Sequence, residues 1–253
     1  MWLRDRCADD VACCGRAGLT DRTGQSGAAL VAVLAILMLV SVIGLGLVLT
    51  TSLEPAIASA NEASLSSAYA AEAGLAIAIH ELSAVADWNL VLSGQVRSAI
   101  LQSSADLRLP LPDGRQADAG SLTNLANCGH TAPCTNAELD AFTTDRPWGP
   151  NNPRWQVFGH GRLDRLVPGD STPPPCEAIV WVGDDPAELD GDPLRDSQPA
   201  PDGTRRPGAG VIVLRAEGFG IRAAHRVVTV TVSRSPAGGR PPLVVAWREV
   251  RSP

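Results

Sequence analysis

Apolar and polar positions divide the 253 residues into three stretches of different texture. Residues 1–27 are mixed and polar. Residues 28–49 then run for 22 positions without an Asp, Glu or Arg, and 14 of them are Leu, Ile or Val. As a helix this run is roughly 33 Å long, enough to cross a hydrocarbon core of about 30 Å. At about 0.3 to 0.6 kcal/mol for each Leu, Ile or Val, insertion into a bilayer is favoured by about 4 to 8 kcal/mol. The pattern predicts a membrane segment over 28–49.

Helical texture continues beyond residue 49. Residues 56–86 are rich in Ala, Leu, Glu and Ile, with Gly74 the one strong helix weakener. Pro55 lacks the N–H that the Thr51 carbonyl needs, so a bend is expected there while the helix goes on. Leu53, Ile57, Leu65, Ala68, Ala76, Ile79 and Leu82 recur at helical spacings and are expected to pack on a domain, with Glu62, Glu72 and Glu81 falling elsewhere. A single helix over 28–82 would reach roughly 80 Å. Ala28, Ala29, Ala32, Ala35, Gly44 and Gly46 are small enough to let a second helix approach closely.

After residue 87 the pattern changes again. A short helix is expected around 91–101, followed by loop-like "LPLPDGRQADAG" and "RPWGPNNPRW". Strand-like runs follow at 154–158, 178–182, 210–217, 224–233 and 243–250, with "EGFGI" at 217–221 as a hairpin turn. Trp155, Trp181, Val211, Val213, Val228, Val230 and Trp247 are expected to face the core. The predicted fold class is α+β, a long N-terminal hydrophobic helix packed against a C-terminal antiparallel sheet. The division is a leader at 1–27, a long helix at 28–87 and a globular domain at 88–253.

Charge sets the orientation. All 21 basic residues are Arg, and the net charge is −6, which makes nucleic acid a poor partner. Residues 201–253 are nonetheless basic, with 9 Arg against 3 acids. Arg4, Arg6, Arg16 and Arg22 precede the apolar run and the next base is Arg97, so residues 1–27 are expected to stay cytoplasmic and the domain to be exported. Three readings of the run compete. A secretory signal peptide would have a shorter core, and Ala58-Ser59-Ala60 lies far behind this one. A plain signal anchor fits length and charge. Cleavage directly after Gly27, before Ala28, also explains why the apolar run starts so abruptly.

The leader, Gly27, the uninterrupted helix and "NEASLSSAYAAEAGLAIAIHEL" at 61–82 resemble the amino-terminal region of PilX-type minor pilins of type IV pilus systems. "WVGDDPAELDGDPLRD" at 181–196, "VIVLRAEGFGIRAAHRVVTVTVSR" at 211–234 and "VAWREVR" at 245–251 resemble their carboxy-terminal part. The resemblance implies a pilin-like fold, cleavage between Gly27 and Ala28 by a prepilin peptidase, methylation of the new terminus, and assembly with other minor and major pilins through an inner-membrane platform. It also implies residence in the bacterial inner membrane, then in a pilus or pseudopilus. Ala32 stands where major pilins carry a glutamate. PilX-type proteins and the tip pseudopilin of type II secretion also tend to lack that acid, and the bulk filament subunit is the role it speaks against.

The remaining chemistry is sparse. Cys7, Cys13 and Cys14 lie in the leader, leaving Cys128, Cys134 and Cys176. In an oxidising compartment "NCGHTAPC" is expected to close as a Cys128–Cys134 disulfide, with Cys176 the odd one. Zinc bound by that pair with His130 is the rival reading, but no fourth ligand is apparent in the sequence, and neither metal nor cofactor is expected. Asp184, Asp185, Glu188, Asp190 and Asp192 crowd one loop whose spacing does not match a twelve-residue calcium loop, so a solvated acidic turn is expected. His80, His130, His160 and His225 are scattered, no nucleophile elbow or metalloprotease helix occurs, and no enzymatic activity is expected.

Overall fold

A computed structural model describes residues 25–101, 108–164, 175–188, 191–196, 208–235 and 241–250. The leader arginines, its three cysteines and Asp190 lie outside these. The chain forms two units, up to Pro55 and from Ala56 onward. Helix α1, Gln25–Leu82, contributes to both and includes Pro55. In the first unit it is the apolar helix that the hydrophobic run predicts.

The second unit is α+β. Beyond α1 it holds α2 (Asn89–Leu92), β1 (Arg108–Pro110), β2 (Gln116–Asp118), α3 (Ala119–Cys128), α4 (Asn136–Leu139), and then β3 (Gln156–Arg162), β4 (Glu177–Asp184), β5 (Val211–Phe219), β6 (His225–Ser233) and β7 (Leu243–Val250). Strands β3 to β7 form one antiparallel sheet in sequential order, a meander in which each strand pairs with the next. Strands β1 and β2 form a separate hairpin.

Both faces of the large sheet are covered. On one face Ala178, Val180, Val182, Ile212, Leu214, Ala216, Val228, Val230 and Val232 pack against α1. The alternation that puts these on one side puts Ile179, Trp181 and Val213 on the other, where they meet Leu109 of β1 and Ala119 of α3. Trp181 fixes that second layer by donating its indole N–H to the Thr123 hydroxyl at 2.8 Å. Asn127 at the end of α3 bonds Trp155 through both backbone groups, accepting from its N–H at 2.9 Å and donating to its carbonyl at 3.2 Å.

The structure corrects the sequence reading of these elements in five places. The buried stripe of α1 is Ala63, Ser67, Ala70, Ala71, Leu75, Ala78 and Leu82, whereas Leu53, Ile57 and Leu65 are 54–60% exposed. Small residues win because the sheet comes very close: a Cβ on Gly74 would lie 3.0 Å from a Val180 methyl. Secondly, the core candidates do not share a face. Val228 and Val230 point to α1, Trp155, Trp181 and Val213 to the opposite layer, Val211 is only partly buried, and Trp247 is 50% exposed.

Thirdly, the helix expected at 91–101 ends at Leu92, and the following turn is held from outside. The Glu81 carboxylate accepts the Ala99 N–H at 2.7 Å and the Ile100 N–H at 3.0 Å. Fourthly, "EGF" is still strand, and the β5–β6 turn is 220–224, closed by Gly220 N–H to the Ala224 carbonyl at 2.8 Å. Fifthly, a helix not expected from the sequence, α3, starts at the end of the loop-like 109–120; Asp118 caps it, its side chain accepting from the Ser121 N–H, and Gly129 ends it in the left-handed region at φ 81°.

Candidate functional site

Within the first unit, Leu30 through Leu49 show their large side chains at 54–73% exposure. Leaving such side chains in water forfeits about 1.5 kcal/mol or more for each, so this surface calls for an apolar surrounding. The Ser41 hydroxyl within it, and those of Thr50 and Thr51 just beyond it, are satisfied by the helix itself. Ser41 donates to the Leu37 carbonyl at 2.7 Å, Thr50 to Leu47 at 2.9 Å, and Thr51 to Leu47 at 3.0 Å. A helix exterior with self-bonded hydroxyls suits hydrocarbon, where an unpaired donor is costly. Among the described residues, this helix is the one long and apolar enough to cross a membrane.

Gly27 and Ala28 sit in the first turns of α1. A Cβ on Gly27, Gly44 or Gly46 would meet nothing within 4 Å among the described residues, and none of the three has the positive φ that demands glycine. Packing within the described chain therefore does not require glycine there. Gly74 and Gly218 are different, since their missing side chains admit α1 to the sheet.

In the second unit β7 presents a run of exposed apolar side chains. This strand ends the sheet, pairing with β6 on one side. Leu243, Val244, Val245 and Trp247 are 50–63% exposed. Val244 and Trp247 pair with Val232 and Val230, and so extend the α1-side face. An apolar edge strand with open backbone groups is a template for another chain.

Cys128 and Cys134 are joined by a disulfide with a Cα–Cα distance of 6.0 Å. His130 lies in the loop they close, its Nδ1 3.8 Å from Cys128 Sγ and its Nε2 3.1 Å from Glu138 Oε1. Glu138 also anchors α4: Oε2 accepts from the Thr135 N–H at 2.7 Å and its hydroxyl at 2.8 Å. Those bonds, the backbone one first, then the hydroxyl and His130, hold the Glu138 carboxyl down at about 2. Glu138 was not identified as part of this loop from the sequence. The signal was there as "TNAE" at 135–138, a capping-box pattern that fixes the direction of the carboxylate.

Cys176 is free and half-buried. Burial pushes its thiol up, and the neighbouring Asp164 charge adds to this, which is the opposite of what a nucleophilic thiol needs. The histidines are apart in function as well as in sequence. His80 is exposed on α1, and His160 is buried with Nδ1 3.9 Å from Glu177 Oε1. His225 donates from Nε2 to Glu217 at 3.0 Å and stacks on Phe219.

The acidic loop is not the solvated turn that the sequence suggests. Asp184 and Glu188 are 4% and 2% exposed, and Glu188 is tied back through its carbonyl to the Asn151 side chain at 2.8 Å. The basic last third is likewise engaged with the domain. Arg215 binds Glu217, Arg226 binds Glu249 and the Ser64 hydroxyl, and Arg234 lies 4.5 Å over the Trp88 ring.

No family model matches the chain, and no similar curated protein or solved structure was found.

Proposed function

We propose that this chain is a minor pilin or pseudopilin of the PilX type, a non-enzymatic subunit that joins a filament through its N-terminal helix. The observation that carries this reading is the apolar surface of 28–49, which no described residue covers and whose one hydroxyl, on Ser41, bonds back onto the helix. Lipid suits that surface before assembly, and the helices of other minor and major pilins suit it afterwards. The glycine at 27, which packing does not explain, fits recognition by a prepilin peptidase that cuts before Ala28. Residues 88–253 then stand in the periplasm, with exposed β7 as the strand that meets a neighbouring subunit.

Amino-terminal sequencing of the membrane-bound protein tests this. A mature start at Ala28, with a mass increase of one methyl group, is the expected result. An intact leader on the finished protein overturns it in favour of a plain anchor. Co-fractionation with sheared filaments is expected alongside the cut form.

A further inference from the structure

We propose that the 128–138 loop is a redox-gated zinc site, closed as a disulfide under oxidising conditions and opened to a Cys128, Cys134 and His130 ligand set on reduction. The sequence offers the two cysteines and one histidine, and the fold adds the acid that orients them. Cys128 Sγ, a His130 ring nitrogen and a Glu138 carboxylate oxygen all lie within 4.8 Å of one another. A tetrahedral zinc with bonds of about 2.3 Å to sulfur and about 2.0 Å to nitrogen places neighbouring ligand atoms about 3.3 to 3.8 Å apart. The Cys128 Sγ to His130 Nδ1 distance is 3.8 Å. One edge of the tetrahedron is thus already set.

Glu138 supplies what the three donors lack. One of its oxygens is held by Thr135, and the other faces His130 Nε2 at 3.1 Å. Nδ1 lies 3.8 Å from Cys128 Sγ and 3.1 Å from the Ala132 carbonyl oxygen, so binding through Nδ1 exchanges its contact with that carbonyl for the metal, while the ring proton is donated from Nε2 to Glu138. A carboxylate behind a metal-bound histidine is the usual outer partner, fixing tautomer and ring direction. Water takes the fourth position. The strand of chain between the ligands is anchored at both ends, by α3 and by the capping box of α4, so opening the disulfide need not displace the loop.

The step balances with a dithiol as reductant. One thiolate of the dithiol attacks a sulfur of the Cys128–Cys134 bond, and its second thiolate resolves the mixed disulfide. The protein sulfurs gain two electrons and two protons, and the dithiol leaves as a cyclic disulfide. Zn²⁺ then binds the two sulfurs as thiolates and releases those two protons to solvent. Thiolate charge matches the ion, so the loaded site is electrically neutral before the nearby Glu138 is counted.

Cobalt binding to the full chain in detergent tests the site. The protein is reduced with a dithiol, freed of reductant without air and titrated with Co²⁺, then with Zn²⁺. The expected result is a thiolate-to-cobalt absorption band that saturates at one equivalent, is abolished by zinc, and is missing from the oxidised protein. Cys176→Ser should leave it unchanged. His130→Ala should weaken binding at least tenfold, and Glu138→Gln about tenfold with the band retained, as loss of an outer partner does. Circular dichroism of the reduced, metal-free chain reports whether the fold persists. No band in the reduced protein, folded or not, overturns the proposal, as does a band that depends on Cys176 or survives intact in His130→Ala.

Discussion

Gly218 of β5 lies against the backbone of α1 at Ser67, so close that a methyl group at 218 would collide with the Ser67 carbonyl oxygen and come 2.6 Å from the Ala71 amide nitrogen. The colliding atoms are main chain and cannot swing aside. Gly218→Ala must therefore push the helix off the sheet, at a cost of about 3 kcal/mol. Denaturant unfolding of the full chain in detergent should show the midpoint fall, while Gly44→Ala, where a Cβ meets nothing within 4 Å, should leave it unchanged.

Arg146 holds the second layer together through backbone carbonyls, with no acid partner among the described residues. Its guanidinium donates to the carbonyls of Ala126 at 3.0 Å and Pro153 at 2.9 Å. Burial first, then the charges of Arg154 and Arg215, lower it to about 10, which leaves it charged at neutral pH. Arg146→Ala strands two carbonyls and should cost about 3 kcal/mol in the same unfolding measurement. Arg146→Lys keeps the charge but not the fork, and should recover about half.

Two buried glutamates should give opposite pH dependences. For Glu217, burial raises the carboxyl, but the His225 hydrogen bond and the Arg215 charge outweigh it, so its folded value lies below the ordinary one. Its stabilisation is present above about pH 4.3 and is lost as pH falls. For Glu177, burial dominates and His160 and Arg162 offset it only in part, so its folded value lies above the ordinary one. Its ionisation therefore removes stability as pH rises past about 4.3. In thermal scans Glu217→Gln should melt below the parent at pH 7, with the gap narrowing toward pH 4. Glu177→Gln should melt above the parent at pH 7 and converge with it at acid pH. A gap of the same sign for both would contradict this assignment.

Exposed Trp247 and Val245 on β7 contribute little to the fold of the isolated chain. Val245→Lys should change stability by less than about 0.5 kcal/mol, and Trp247→Ser, which removes the cross-strand partner of Val230, should cost about 1 kcal/mol. If β7 meets another subunit, both should lower recovery in sheared filaments without altering membrane insertion. Normal recovery would assign the contact to another surface.

Removing the Cys128–Cys134 bond with a double Ser substitution frees a short loop, and should cost about 2 kcal/mol by the chain-entropy estimate. Thermal melting under non-reducing conditions measures it.

Composition and period alone determined the apolar helix of 28–49, because bilayer partition depends on an unbroken run and needs no tertiary contact. The same holds for the presence of five strands, which Val-rich alternation bounded by turns makes plain. What the sequence could not decide was which side of each strand is buried against what, since here both faces are covered and Trp181 and Val180 are equally apolar neighbours. It pointed to Leu53, Ile57, Leu65, Ala68, Ala76, Ile79 and Leu82 as the packing stripe of α1; Leu82 is buried and Ile79 packs on the core, but tertiary structure moved the rest of the stripe to Ala63, Ser67, Ala70, Ala71, Leu75 and Ala78, because the closest approach of helix and sheet is set by contact at Gly218 and Gly74. Glu138 joined His130 for a related reason. Eight residues of separation carry no pattern, and only the turn of α4 brings the two side chains together.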